Sequence, residues 1–256
     1  MDFVSEIKNA FSRELPDSEL FVYNCVGSTN DEARKYASKK KRDSAFFIAR
    51  EQTAGRGRRG RSFISRDGGL YLSYLFNPKL SARDAIMLTV FASVALAETI
   101  EEMTGARPGI KWVNDIFLGG KKLAGILAEG EFSRDGGSFE YAVVGIGINL
   151  NGRLSEPEIK DIATTLECEL GVRVKISDFA ARLAKKLLSF EKRSAASYMD
   201  KYRELSLVIG KRVLVTSAGC ELFAKVLGIE DDGAITVRLD TGEEKTLYSA
   251  EVSLKL

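Results

Sequence analysis

"SAFFIAREQTAGRGRRGRSFISRDGGLYLSYLF" runs from Ser44 to Phe76, and its reading decides the architecture. The "SAFFIAR" and "GGLYLSYLF" ends are apolar at nearly every position and read as buried strands. Between them lies a loop with Arg56, Arg58, Arg59 and Arg61 set among Gly55, Gly57 and Gly60. Glycine lets a backbone approach an anion closely, and successive N–H groups can form an anion-binding concavity. Arginine adds permanent charge that meets phosphate or carboxylate in bidentate fashion. The same residues also read as a solvated basic loop or an RGG-like RNA-binding segment. Shortness, lack of repetition and enclosure between core strands favour the small-anion reading. The spacing is not that of a P-loop, since no GK[ST] ends it and no helix pattern follows directly.

Working outward, the whole chain of 256 residues is 45% apolar and 29% charged, ordinary for a globular protein with a real core. Its net charge is only +2, so any anion binding is local and the arginine cluster is where to look. Histidine is absent, which excludes histidine-based triads, HExxH metal sites and imidazole general bases. Cys25, Cys168 and Cys220 lie far apart with no CxxC pair, the pattern of a reduced chain without a zinc site or disulfide framework. The start, "MDFVSEIKNAF", carries charges where a secretory signal needs an apolar core. The longest nearly uncharged run, Ala85 to Ala97, is too short to span a bilayer. A cytoplasmic protein is expected, with no membrane partner.

Residues 2–14 have helical spacing and stop before Pro16, "LFVYNCV" is a short strand, and Ser28 or Thr29 can cap a following helix. A long buried helix is expected from Ser81 to about Met103, and a helical region from Asp178 to about Glu204. After Gly210 come short strands, "KRVLVTSA", "CELFAKVLGIED", "GAITVRL" and "EEKTLYSAEVSLKL", separated by glycine turns. Two domains are expected, 1–209 and a small β-barrel or sandwich over 210–256, with too few residues upstream of the first strand for a helix-turn-helix.

Two further segments carry polar groups on apolar strands, where they cost energy unless employed. "KWVNDIFLGGKKLAGILAE" holds Lys111, Asn114, Asp115, Lys121 and Lys122. Lys121 belongs to a solvated hairpin turn, whereas Lys122, followed at once by "LAGILA", either shares that turn or points into a site. "VVGIGINLN" ends a buried strand with GxGxN, where Gly147 permits close approach and Asn149 offers an amide that both donates and accepts. A Rossmann reading fails for want of a third glycine and a helix in phase.

These pieces in this order resemble the biotin–protein ligases: "STND" at 28–31, "QTAGRGRRGRSF" at 52–63, "GGLYLS" at 68–73, "KWVNDIFLGGKKLAGIL" at 111–127 and "GIGINLN" at 145–151. The small C-terminal β-domain sits where that family has its SH3-like domain. The resemblance implies an α+β fold with a mixed-sheet, class II synthetase-like catalytic domain and a C-terminal SH3-like barrel. Without an upstream DNA-binding domain, the chain resembles the monofunctional form, and nucleic acid is not an expected partner.

The resemblance further implies activation of biotin with ATP to biotinyl-5′-AMP, then transfer to one lysine of a biotin carboxyl carrier domain. ATP and Mg2+ are the implied cofactors, the ion entering with the ATP phosphates and not through a ligand set of its own. A homodimer is left open. Ser28, Thr29, Asn30 and Gln52 resemble the family's biotin contacts. Gly55, Arg56, Gly57 and Arg58 resemble the loop over biotin and adenylate, with Arg58 meeting carboxylate and phosphate together. Lys122 resembles the catalytic lysine, bridging carboxylate and α-phosphate, and Gly125 the nearby backbone. Lys111, Asn114, Gly147 and Asn149 fall on the adenylate side, and Asp115 serves either the incoming amine or magnesium. Phe63 stands where the family usually has tryptophan and can stack on adenine without an indole N–H. Val113 replaces the proline of "KWPND".

Overall fold

The computed structural model describes residues 2–39, 44–78, 80–81, 85–134, 137–189, 192–217 and 220–254. Seven strands form one mixed sheet: β1 (Glu19–Val26), β2 (Ala45–Gln52), β3 (Gly69–Phe76), β4 (Gly109–Lys111), β5 (Asp115–Leu118), β6 (Lys121–Phe132) and β7 (Phe139–Asn149). Their order is β1-β2-β3-β7-β6-β5-β4, and only β1 and β2 run parallel. A parallel neighbour needs a crossover, supplied here by α2 (Thr29–Ser38).

Helix α2 closes one face of the sheet, packing Ala33 and Ala37 on Ala45, Phe47, Leu75 and Val143. The other face is covered by α1 (Phe3–Glu14), α3 (Ala85–Thr104), α5 (Ile176–Leu188) and α6 (Ala195–Glu204), with the short α4 (Leu166–Leu170) at the sheet's end. Because helices cover both faces, every residue of β3 is buried, which is why that strand has no polar alternation. Helix α3 is the central one, and its buried Ser93 and Thr99 satisfy their hydroxyls on Thr89 O and Ala95 O, four residues back.

Five C-terminal strands, β8 (Arg212–Ser217), β9 (Cys220–Ile229), β10 (Ile235–Leu239), β11 (Glu244–Leu247) and β12 (Glu251–Leu254), form a separate antiparallel sheet. It is tied to the β4–β5 turn of the first by Trp112 Nε1 donating to Gly233 O at 2.9 Å, and to α6 by Arg203 Nε donating to Ile229 O at 2.7 Å. Gly233 has φ +83°, and a Cβ there would lie 3.1 Å from Ile86, so the turn requires glycine.

Three sequence expectations are redrawn. The long helix begins at Ala85, and Ser81 instead bridges Ser138 in β fashion, while residues 82–84 lie outside the described residues. The Asp178–Glu204 region is two helices, α6 starting afresh at the Ser194 cap, whose hydroxyl accepts from Ser197 N. The run "EEKTLYSAEVSLKL" is two strands on opposite edges of the small sheet, since local alternation does not specify which neighbour a strand finds.

Candidate active site

A trough opens over the ends of β6 and β7, and its floor is made by three glycines. Gly125 pairs with Gly147, and Gly145 with Leu127, so all three present the same face. Side chains from elsewhere lie in the space a Cβ would fill. A methyl at Gly145 would lie 2.1 Å from Asn30 Oδ1, and one at Gly147 would lie 2.6 Å from the Phe63 ring. At Gly125 it would stand 3.2 Å from Phe63 and 3.4 Å from Lys122 Nζ.

One end of the trough is polar and neutral. Ser28, Thr29 and Asn30, at the N-terminus of α2, are all buried. Gln52 Oε1 accepts from Thr29 N at 2.8 Å and from Thr29 Oγ1 at 3.1 Å, while its Nε2 donates to Ser65 Oγ at 2.9 Å. The Ser73 hydroxyl lies 2.7 Å from Thr29 Oγ1 and 2.6 Å from Asn30 Oδ1. Thr29, Asn30, Gln52, Ser65 and Ser73 each have a partner, so this network holds its donors and acceptors oriented in advance.

The other end is cationic. Lys122 Nζ meets Asp115 Oδ1 at 2.7 Å. Lys111 and Asp115 face each other across β4 and β5, so one carboxylate stands between two lysines. Arg58 completes the cluster, its Nη1 donating to Asn114 Oδ1 at 3.3 Å. Asn114 is itself pinned to β6, its Nδ2 donating to Ile126 O and its carbonyl accepting from Ile126 N. Burial pushes the Arg58 guanidinium below its ordinary pKa, with the Arg59 charge adding to the effect and Asp115 opposing it. Burial likewise lowers the Lys111 ammonium, with Asp115 opposing and Lys122 reinforcing. Asp115 pairs with Lys122 and is the carboxylate acting most on Arg58 and Lys111. Glu251 beyond it is already paired with Arg59 and Arg61, so positive charge is in excess and favours an anion placed among these groups.

The arginine loop closes the trough as a small hairpin. Phe63 N donates to Gly55 O at 2.9 Å and Gly57 N to Arg61 O at 2.7 Å, with Arg59 at φ +56°. Gly55 is folded into that hairpin, with no room for a Cβ against Phe63 O and Ser65 Oγ, and does not line the trough. The C-terminal sheet adds Ala250, Glu251 and Val252 to the wall, and Glu251 pairs with Arg61 at 2.6 Å and Arg59 at 3.8 Å. The Trp112–Val113 peptide beneath is cis, and Tyr202 Oη donates to Val113 O at 2.9 Å.

Ser28, Thr29, Asn30, Gln52, Arg56, Gly57, Arg58, Phe63, Lys111, Asn114, Asp115, Lys122, Gly125 and Gly147 all line this trough. Asn149 does not. Its Nδ2 donates to Thr164 O, and it lines a separate small cleft beside Tyr71 and Asn151. Arg56 lines the trough, yet its guanidinium is held by Asp31 at 2.8 Å and Glu129 at 3.3 Å and is not free charge. Ser73, Asp31 and Glu129 were not singled out in the sequence. A lone serine in the wholly apolar "GLYLSYLF" is the signal that marks Ser73, because an unpartnered hydroxyl there would be costly. Among the described residues no cluster of three or more Asp, Glu or Cys side chains is placed to hold a metal ion.

Comparison with known proteins places this geometry. Residues 22–149 match the model of the biotin/lipoate A/B protein ligase family, and residues 208–255 match the biotin protein ligase C-terminal domain. The chain is 33% identical to the bifunctional ligase/repressor BirA of Bacillus subtilis, over 98% of this chain and 78% of that relative. It is 32% identical to the biotin–[acetyl-CoA-carboxylase] ligase of Paracoccus denitrificans, over 88% of this chain and 96% of that one. Among solved structures, the biotin protein ligase of Aquifex aeolicus in complex with biotin and ATP superposes with a TM-score of 0.76 at 30% identity, covering 93% of this chain and 98% of that one. With both sheets matched in sequence and in fold, the chain belongs to the biotin/lipoate A/B protein ligase family.

Proposed function

We propose that this chain is a biotin–[acetyl-CoA-carboxylase] ligase that joins biotin to ATP, forming biotinyl-5′-AMP and pyrophosphate. It then passes the biotinyl group to a lysine amine of a biotin carboxyl carrier domain with release of AMP. The observation that carries this reading is the juxtaposition, within one trough, of a preorganised neutral polar pocket and three cations. A ureido ring needs fixed donors and acceptors, which Ser28, Thr29, Asn30 and Gln52 provide. A carboxylate attacking an α-phosphate brings two anions together and needs fixed positive charge, which Lys122, Arg58 and Lys111 provide.

In this reading Lys122 stands between the pocket and the phosphate end and offsets charge as the carboxylate oxygen bonds to phosphorus and pyrophosphate leaves. Asp115 holds Lys122 extended across the glycine floor. Phe63 and the glycines beneath it form the flat surface for the base. Mg2+ carried in on the triphosphate would supply positive charge to the leaving pyrophosphate. Residues 1–209 carry the reacting groups, and residues 210–256 complete the trough wall at Ala250, Glu251 and Val252. No helix among the described residues is long and apolar enough to cross a membrane, and the cytoplasm, where ATP and the carrier meet, is the proposed location.

The test is incubation with ATP, Mg2+ and biotin, following pyrophosphate release and then label transfer to a purified carrier domain. Biotin-dependent pyrophosphate and labelled carrier are expected. Activation of lipoate or octanoate in place of biotin would assign the chain to the lipoate branch of its family.

A further inference from the structure

The arginine loop is fastened at two places of different character. Its tip rests on an exposed contact, Arg61 and Arg59 on Glu251, of a kind that contributes little. Its root is held by Arg56, whose guanidinium sits between Asp31 (2.8 and 3.0 Å) and Glu129 (3.3 Å). Glu129 does not line the trough, yet its Oε2 also accepts from Asn30 Nδ2 at 2.7 Å. Asn30 does line the trough, is 4% exposed, and has its amide oxygen held by Ser73. Asn30 and Asp31 are neighbours in α2, so the bonds close into a ring through Asn30, Glu129, Arg56 and Asp31. One carboxylate therefore serves both the neutral end of the trough and the lid, with Arg34 also within 3.8 Å of it, so a shift in one contact is felt at the other.

We infer that Glu129 is a positioning residue that makes closure of the arginine loop depend on how Asn30 is seated, so that pocket occupancy and loop closure reinforce each other. Reinforcement is reciprocal by linkage: a ligand that fixes Asn30 tightens the loop, and a closed loop raises affinity for that ligand. The identity of the ligand, biotin, rests on the function proposed above, while the ring of bonds does not. An amide replaces the carboxylate only in part. In Glu129→Gln an oxygen left in the Oε2 place still reaches Asn30 Nδ2 (2.7 Å) and Arg56 Nη2 (3.3 Å), but the charge is gone and an N–H stands where Oε1 accepted from Arg56 Nη2 at 3.4 Å, donor against donor.

Loop opening can be read without turnover, as the rate of native tryptic cleavage after Arg58, Arg59 and Arg61, with the melting temperature as a control on folding. Glu129→Gln is expected to speed cleavage about tenfold in the ligand-free protein, the loss of one charge-assisted contact. Glu129→Asp, which keeps the charge but is too short to reach both partners, also speeds it. Glu131→Gln, exposed on the same strand, leaves the rate unchanged. Asn30→Ala, outside the loop, is expected to speed cleavage too, and combined with Glu129→Gln it adds nothing further. A parental rate in both Glu129 variants would overturn the anchor. Rates that multiply in the double variant would overturn the shared carboxylate. Calorimetry with biotin separates the two proposals: no binding by the parent defeats the assigned substrate, while the ligand-free rates still decide on Glu129.

Discussion

Gly145→Ala is the sharpest test of how the trough is built. The new methyl would stand 2.1 Å from Asn30 Oδ1, 2.8 Å from its Cγ and 3.0 Å from its Nδ2. Ordinary contact begins well beyond these values, so Asn30 must retreat by roughly 1 Å. It has nowhere to go cheaply, being 4% exposed and bonded to Ser73 at 2.6 Å and Glu129 at 2.7 Å. Retreat breaks or stretches two hydrogen bonds, at about 0.5–1.5 kcal/mol each, and adds overpacking of about 1–3 kcal/mol. A total of about 2–6 kcal/mol corresponds to a fall in melting temperature of about 4–24 °C for a chain of this length. Biotin affinity should fall at least about tenfold, since the misplaced amide lines the pocket. Thermal unfolding by circular dichroism and biotin calorimetry measure the two effects. Gly228→Ala serves as the control, since nothing lies within 4 Å of the Cβ it would add. Adding Asn30→Ala to Gly145→Ala relieves the clash, so melting temperature should partly recover while biotin affinity does not. A Gly145→Ala protein that melts within about 2 °C of the parent and binds biotin normally would refute the geometry.

Lys122→Ala should slow adenylate formation about 10²–10³-fold while biotin affinity changes less than about tenfold, measured by pyrophosphate exchange and calorimetry. A near-parental rate would remove its charge-offsetting role. Arg58→Gly should leave the trough open at its cationic end, and rapid-filtration measurement should show the adenylate dissociating at least about tenfold faster. Lys111→Met should raise the melting temperature at neutral pH while raising the KM for ATP. Burial lowers the Lys111 pKa when folded, so the charged form is penalised below that value and the penalty is relieved as pH rises through it. The Asp31 carboxyl behaves oppositely: burial would raise it, but hydrogen bonds from Arg34 and Arg56 prevail and hold it below its ordinary value. Its contribution is complete above the ordinary carboxylate range and lost as pH falls through the lowered value. Melting temperatures of the parent should therefore drop more steeply below about pH 4 than those of Asp31→Asn.

How much of this was legible in the chain can be read from particular residues. "SAFFIAR" and "GLYLSYLF" read as strands buried on both faces because they are short, aromatic-bearing apolar runs bounded by charged residues and glycine, without polar alternation. The lack of histidine excluded imidazole chemistry before any coordinate was known. The arginine loop, "KWVND", Lys122 and "GIGIN" could be named as parts of one site through their resemblance to a family, although no spacing brings residues 30, 58 and 122 together. Strand order did that, by setting β6 beside β7 and α2 above them. What each polar group faces was likewise undecided until the sheet was assembled. Arg56 and Arg58 are equal in the sequence, two residues apart in one glycine-rich loop. In the fold Arg56 is neutralised by Asp31 and Glu129, while Arg58 is left beside Asn114 among unbalanced cations. Asn149 turns to Thr164 and away from the trough for a similar reason. Local sequence determined which segments are strand, helix or basic loop, because that follows from side-chain periodicity and backbone preference. Only the tertiary structure decided which charges are compensated and which are free, because charge balance depends on partners brought from distant parts of the chain.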